Sequence, residues 1–365
     1  MKYKEINTLA RIVVEYSTNV QPGDRVVING APAARPLLLA LYKQALARGA
    51  FPWLAIHDRH SLRHLLDTGS PEQVSHIFPW EQATADHMDV VINVWGGENT
   101  RLLSGVDKER YGNYIKAHHP LRKRIKQEKV RWCVLAWPCS FVAQEADMPY
   151  RDYERLVFQS CFADQAEPIA AWQAFSKKQQ AIVDALQVYE DFQLAGANMD
   201  LTFSTKDRYW VSCDGKVNMP DGEIYTAPYE PSVNGWIRFD LPALYQGELV
   251  LDAYLEFSEG ACTQARASRG QDFLRRMVAM DEGSSHIGEL AFGTNPFVKQ
   301  VTKILYIDEK ICNTFHLALG DSAGHTNGQN RSAIHWDLVT NATEARLLDR
   351  ESGRVLYKDG DFLVP

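Results

Sequence analysis

The sequence lacks any CxxC pair; its six cysteines, Cys133, Cys139, Cys161, Cys213, Cys262 and Cys312, are scattered along the chain. That excludes a cysteine-ligated zinc site and leaves reduced thiols in a cytoplasmic protein as the expectation. It also lacks any run near the roughly 20 apolar residues of a membrane span. The longest candidate, LLLALYKQALA, is short and carries a charge. The N-terminal stretch MKYKEINTLARIVVEYS has no unbroken apolar core of the kind that marks a secretory signal. There is no GxGxxG and no P-loop; Asn29-Gly30-Ala31-Pro32 and Trp95-Gly96-Gly97-Glu98 read as ordinary turn glycines. An excess of basic charge is missing too. Lys plus Arg is 39 and Asp plus Glu is 46, a formal charge of −7, which argues against a nucleic-acid partner. One basic cluster, Lys116 to Arg131 with His118, His119 and Pro120 inside it, reads as a solvated helix face. No internal repeat or low-complexity tract is present.

What is present is a globular composition, 45% hydrophobic and 23% charged over 365 residues, long enough for two domains. In the first half, apolar residues at helical spacing predict helices over 5–19 and 34–48, the second closed by Gly49. A short β-branched run predicts a strand at Arg25 to Gly30, and further strands are expected at Phe51 to Ile56, Met88 to Trp95 and Trp132 to Trp137. Strands alternating with helices imply a mainly parallel sheet covered on both faces. A long amphipathic helix is expected over 170–190. Beyond it the pattern changes to strand-like runs at 201–211, 235–241, 247–257, 302–307 and 345–357, broken by turns, with a helix near 269–280. The expected organisation is an α/β domain over 1–190 and a second, α+β domain over 191–365, rich in antiparallel strand.

Four segments of the second half collect polar residues within apolar runs. Glu223 follows the Pro220-Asp221-Gly222 turn; Glu289 lies in Ser285-His286-Ile287-Gly288-Glu289; His316 sits in an apolar stretch; His335 and Asp337 are two apart in a strand-like run and share one face. Each has an ordinary reading: a turn or ion-pair glutamate, a core histidine, a hydrogen-bonded His–Asp pair. Together, three carboxylates and two imidazoles among apolar neighbours call for a cation, because buried carboxylates are costly unless paired or metal-bound. Five ligands exceed what one tetrahedral ion needs. With one carboxylate bridging, they suit two ions about 3.5–4 Å apart.

In this order the four segments resemble the aminopeptidase T family of metallopeptidases, and the likeness covers nearly the whole chain. Val20-Gln21-Pro22-Gly23-Asp24-Arg25-Val26-Val27-Ile28 and Gly49-Ala50-Phe51-Pro52 fit it as well. The resemblance implies a metal-bearing C-terminal domain, a homodimer, and two divalent ions, zinc or cobalt foremost, with manganese also compatible. The ligands it implies are Glu223, Glu289, His316, His335 and Asp337, and the reaction is release of an N-terminal amino acid from a peptide. The family carries a tyrosine seven residues after the histidine of the third motif; this chain has Ala323 there, and His325 is the nearby group that would take over as donor. The Ser285-His286-Ile287-Gly288 stretch and the HxD also resemble 2,5-dihydroxypyridine dioxygenase. That alternative implies a single iron(II) on His286, His335 and Asp337. In the hydrolase reading His286 is a group that orients a ligand or acts directly. A third reading, a non-catalytic relative that works in binding or assembly, predicts weak metal binding or none.

Overall fold

The computed structural model describes residues 2–96, 99, 102–118, 123–127 and 129–363. Gly97, Glu98, His119 and Pro120, singled out above, lie outside them. The chain divides into two compact units: Met1–Ala171 with Gly215–Pro220, and Trp172–Asp214 with Asp221–Pro365. The boundary expected at 190/191 thus differs from the observed division. Most of the long helix Pro168–Leu186 belongs to the second unit, and a short excursion returns to the first.

The first unit is built on the expected parallel sheet. Its strands are Phe51–Ile56, Arg25–Gly30, Val90–Trp95 and Arg131–Ala136, in that spatial order, with Asn218–Met219 added at the far edge. Val26, Ile28, Val90, Ile92 and Leu135 are buried, as near-continuous apolar strands of a parallel sheet must be. The helix expected at 5–19 is regular only over Lys2–Arg11 and widens into a π-helical turn at Ile12–Ser17. The second helix runs Arg35–Ala47, and Gly49 takes φ +78° just beyond it, a conformation that favours glycine.

The second unit contains an eight-stranded and a five-stranded antiparallel sheet. Several expected strands are corrected. The run 201–211 is a strand only over Met199–Ser204, and a separate strand follows at Val211–Cys213. The run 247–257 is two strands, Glu248–Val250 and Ala253–Ser258, and 345–357 is a hairpin of Arg346–Asp349 with Val355–Lys358. Residues 302–307 do not form a strand: Leu305–Asp308 is a helical turn, because Asp308 accepts from both the amide and the hydroxyl of Thr302, tying the segment back on itself. The helix near 269–280 is found at Gln271–Val278.

The five-stranded sheet positions the polar segments. Its order is His335–Asn341, Thr314–Gly320, Ile287–Gly293, Glu223–Thr226, Val211–Cys213. Residues opposite one another in such a sheet share a face, and the face alternates along each strand. Ala318 pairs with both Asp337 and Glu289, Ala291 with both His316 and Tyr225, Gly293 with Glu223, and Gly320 with His335. All five residues therefore point to one side. The opposite face carries Leu290, Phe292, Phe315, Leu317, Leu319, Trp336 and Leu338, which join the unit's main core. One irregularity sets this phase: Ile287 faces Leu319 while Glu289 faces Ala318, so Gly288 is the extra residue of a β-bulge. A Cβ on Gly288 would stand 2.2 Å from the Gly320 carbonyl oxygen, so the bulge requires glycine.

Candidate metal centre

On the polar face the intervening residues are small. Ala291, Gly293, Ala318 and Gly320 separate the larger side chains and leave them room to converge. His316 Nε2 lies 3.3 Å from Glu223 Oε2 and 3.6 Å from Glu289 Oε1. His335 Nε2 lies 3.9 Å from Glu289 Oε2 and 3.5 Å from Asp337 Oδ1. The two oxygens of Glu289 thus face two different histidines.

Ligand atoms within 4.8 Å of one another form the groups Glu223–Glu309–His316 and Glu289–His335–Asp337. All five sequence-predicted ligands are in them. Glu309 is the addition. It follows the helical turn Leu305–Asp308, where a strand was expected, and Asp308-Glu309-Lys310 looks like a solvated charge run in sequence. The available signal was its setting between Ile304, Ile307 and Ile311, all buried. A further group, Cys213, Asp221 and Glu223, surrounds the buried Lys310.

His286 and His325 belong to none of these groups among the described residues. His286 Nδ1 faces Ser285 Oγ at 3.1 Å and the Glu282 carbonyl at 3.2 Å. His325 is exposed on the turn Gly324–Thr326, beside Ala323.

Several atoms at the centre are buried and lack a hydrogen-bond partner among the described residues: Glu223 Oε2, His316 Nε2 and Asp337 Oδ1. Their neighbours are ion-pair partners without hydrogen-bond geometry, and buried polar atoms so placed fit a cation that shares them. His335 is held ready for such a role. Its Nδ1 is 2.8 Å from the Asp321 carbonyl, which fixes the proton on Nδ1 and leaves Nε2 facing the carboxylates. The donor set of imidazole and carboxylate suits zinc, cobalt, manganese or iron(II) alike.

The protonation of the cation-free centre follows from burial and charge. Burial opposes the charged form of His316, but the facing Glu223 and Glu289 carboxylates outweigh it and push the imidazole up to about 10. Burial likewise opposes His335, and Asp337 overrides it, pushing that ring up to about 11. Burial raises Glu289, and it raises Glu309 to about 8. Glu223 is held low despite its burial, chiefly by the Lys310 charge. At pH 7.5 both histidines are therefore protonated, and a cation that needs neutral imidazole must displace protons. Loading with zinc is expected to release at least one proton per chain, and affinity is expected to rise with pH. Calorimetry in buffers of different ionisation enthalpy measures the number; zero release would show that these rings are not ligands.

Known proteins carry the same fold and are similar over nearly the whole chain. The chain is 25% identical to aminopeptidase T of Thermus thermophilus, over 98% of this chain and 96% of that one. It is 26% identical to aminopeptidase AmpS of Bacillus subtilis, over 87% and 84%. The solved structure of Thermus thermophilus AmpT superposes with a TM-score of 0.85 at 22% identity, covering 99% of both chains. The 2,5-dihydroxypyridine dioxygenase of Pseudomonas putida shares the fold more loosely, with a TM-score of 0.59 at 14% identity over 99% of this chain and 97% of that one. Residues 2–362 match the profile described as thermophilic metalloprotease (M29), and the chain belongs to that family of hydrolases.

Proposed function

We propose that this chain is a metal-dependent aminopeptidase, and that Glu223–Glu309–His316 and Glu289–His335–Asp337 are two cation positions joined by Glu289. The observation that carries the reading is Glu289 itself, with one oxygen toward His316 and the other toward His335. Divalent ions bound there supply Lewis acidity toward a peptide carbonyl and toward water. The protein's part is orientation. Asp321 fixes the His335 tautomer, the bulge at Gly288 fixes Glu289, and the core behind Trp336 and Leu338 holds the His335 strand rigid. Named relatives that are aminopeptidases support the substrate class.

The same reading includes a cytoplasmic homodimer. Phe51, Trp53 and Ile56 lie exposed on the edge strand of the first unit's sheet, an apolar edge that natural proteins cover. Sedimentation gives the oligomeric state, and a monomer at all concentrations would remove that part.

The test of function is a panel of aminoacyl p-nitroanilides and N-acetylated controls, with chain stripped by chelator and reloaded with zinc or cobalt. Hydrolysis of free-amine substrates only, restored by metal, is the expected result. Oxygen uptake with a dihydroxylated pyridine and no hydrolysis would favour the dioxygenase reading instead.

A further inference from the structure

One buried group has no part in that chemistry. Lys310 is wholly buried, and its ammonium lies 2.6 Å from Glu223 Oε1, 2.9 Å from Glu309 Oε1 and 3.6 Å from Asp221 Oδ1. Lysine is almost never fully buried without compensating charge. Here it faces three carboxylates, and two of them are members of the Glu223–Glu309–His316 group. Each of those two turns its Oε1 to the ammonium.

The placement is built into the backbone. The Lys310 carbonyl accepts from the Asn295 amide at 3.1 Å. Asn295 Nδ2 donates to the Asp221 carbonyl at 2.6 Å, and the Thr294 amide donates to the Gly222 carbonyl at 2.9 Å. Residues 294–295 therefore fasten Lys310 and the turn before Glu223 to the same short segment. Gly222, at φ +130°, approaches Asn295 so closely that a Cβ there would stand 2.8 Å from the Asn295 Cβ. The other group differs: among the described residues, no lysine or arginine pairs with Glu289 or Asp337.

We propose that Lys310 is the resident cation of the Glu223–Glu309–His316 position. Its ammonium supplies the positive charge there, so the chain holds one divalent ion tightly on Glu289, His335 and Asp337. A second ion enters only in competition with a tethered ammonium for Glu223 and Glu309. The inference rests on the two-position reading above. Its physical basis is Coulombic: a dication beside a buried ammonium is repelled where little water screens the pair. Lys310 acts through the two glutamates and is a positioning residue, not a catalytic one.

The experiment titrates zinc alone into chelator-stripped full-length chain, by calorimetry with elemental analysis. The wild type is expected to take one equivalent tightly and a second at least about a hundredfold more weakly. Lys310→Met, which keeps the stem and removes the charge, is expected to bring the second equivalent within about tenfold of the first. The metal-free variant is also expected to melt below the wild type and to regain more on zinc addition. Asp337→Asn is expected to remove the tight equivalent and leave the weak one. Two equivalents of matched affinity in the wild type would overturn the proposal while leaving the metal centre intact, and that measurement needs no variant to fold. A single tight equivalent retained in Lys310→Met would overturn it as well. No tight zinc in either protein would overturn both this inference and the metal-centre reading.

Discussion

Replacing Glu289 by alanine is expected to lower hydrolysis at least about a thousandfold, a loss of ~4 kcal/mol of transition-state stabilisation. The expectation comes from its position. In the proposed two-position centre Glu223 and Glu309 would serve one position and His335 and Asp337 the other, while Glu289 faces both histidines, with its oxygens 3.6 Å from His316 and 3.9 Å from His335. Its removal weakens every cation in the centre at once, so zinc affinity and turnover fall together. The fold is expected to survive. The flanking Ala291 and the opposing Ala318 show that alanine fits this face, and the core side of the strand, Leu290 and Phe292, is unchanged. The check is zinc titration with single-substrate kinetics on a variant that melts in one cooperative step. A Glu289→Ala protein that binds zinc and turns over like the wild type would show that the carboxylate is structural.

The second large effect is expected at Gly320, which has no side chain to offer a cation. Gly320 has φ +102°, and a Cβ there would meet the Ile334 carbonyl oxygen at 2.1 Å. It sits directly opposite His335 in the sheet. Gly320→Ala combines backbone strain with a clash against main chain and is expected to cost about 3 kcal/mol. In a chain of 365 residues that lowers the melting temperature by roughly 4 °C. Because the displaced backbone carries Ile334 and His335, zinc affinity is expected to fall with it. Gly324→Ala is the control: nothing lies within 4 Å of its added carbon, and it is expected to behave as wild type. Equal melting of the two variants would mean that the sheet relaxes around the alanine at 320.

Much of this centre is legible in the sequence because a strand declares its faces. The alternation in Thr314-Phe315-His316-Leu317-Ala318-Leu319-Gly320 already separates a polar, small-residue side from an apolar one, and His335-Trp336-Asp337-Leu338 does the same. The parallel sheet of the first unit was legible for a related reason: its apolar runs are short and alternate with helical segments, and two of them, Arg25–Gly30 and Val90–Trp95, are β-branched and end at glycine. Two things were not. Glu309 and Lys310 join the centre through a helical turn stabilised by the Asp308–Thr302 hydrogen bonds, a local closure that residue periodicity cannot announce. The placement of Glu289 between His316 and His335 depends on register between strands separated by long connections, and register is a property of pairing, not of either strand alone.

The bulge at Gly288 acts as a parity switch within a single strand. Residues before it keep one phase and bury Ile287 against Leu319; residues after it take the other and present Glu289 beside Ala318. Deleting that one glycine would leave composition, charge and hydrophobic content almost untouched. It would nevertheless force a choice: either Glu289 turns inward among Leu317 and its neighbours, or Ile287 turns out. Either way the core and the reactive face could no longer be correct together. A length change of one residue here is therefore equivalent to loss of the carboxylate, whereas the same change in the exposed Gly324 loop leaves the reactive face in register.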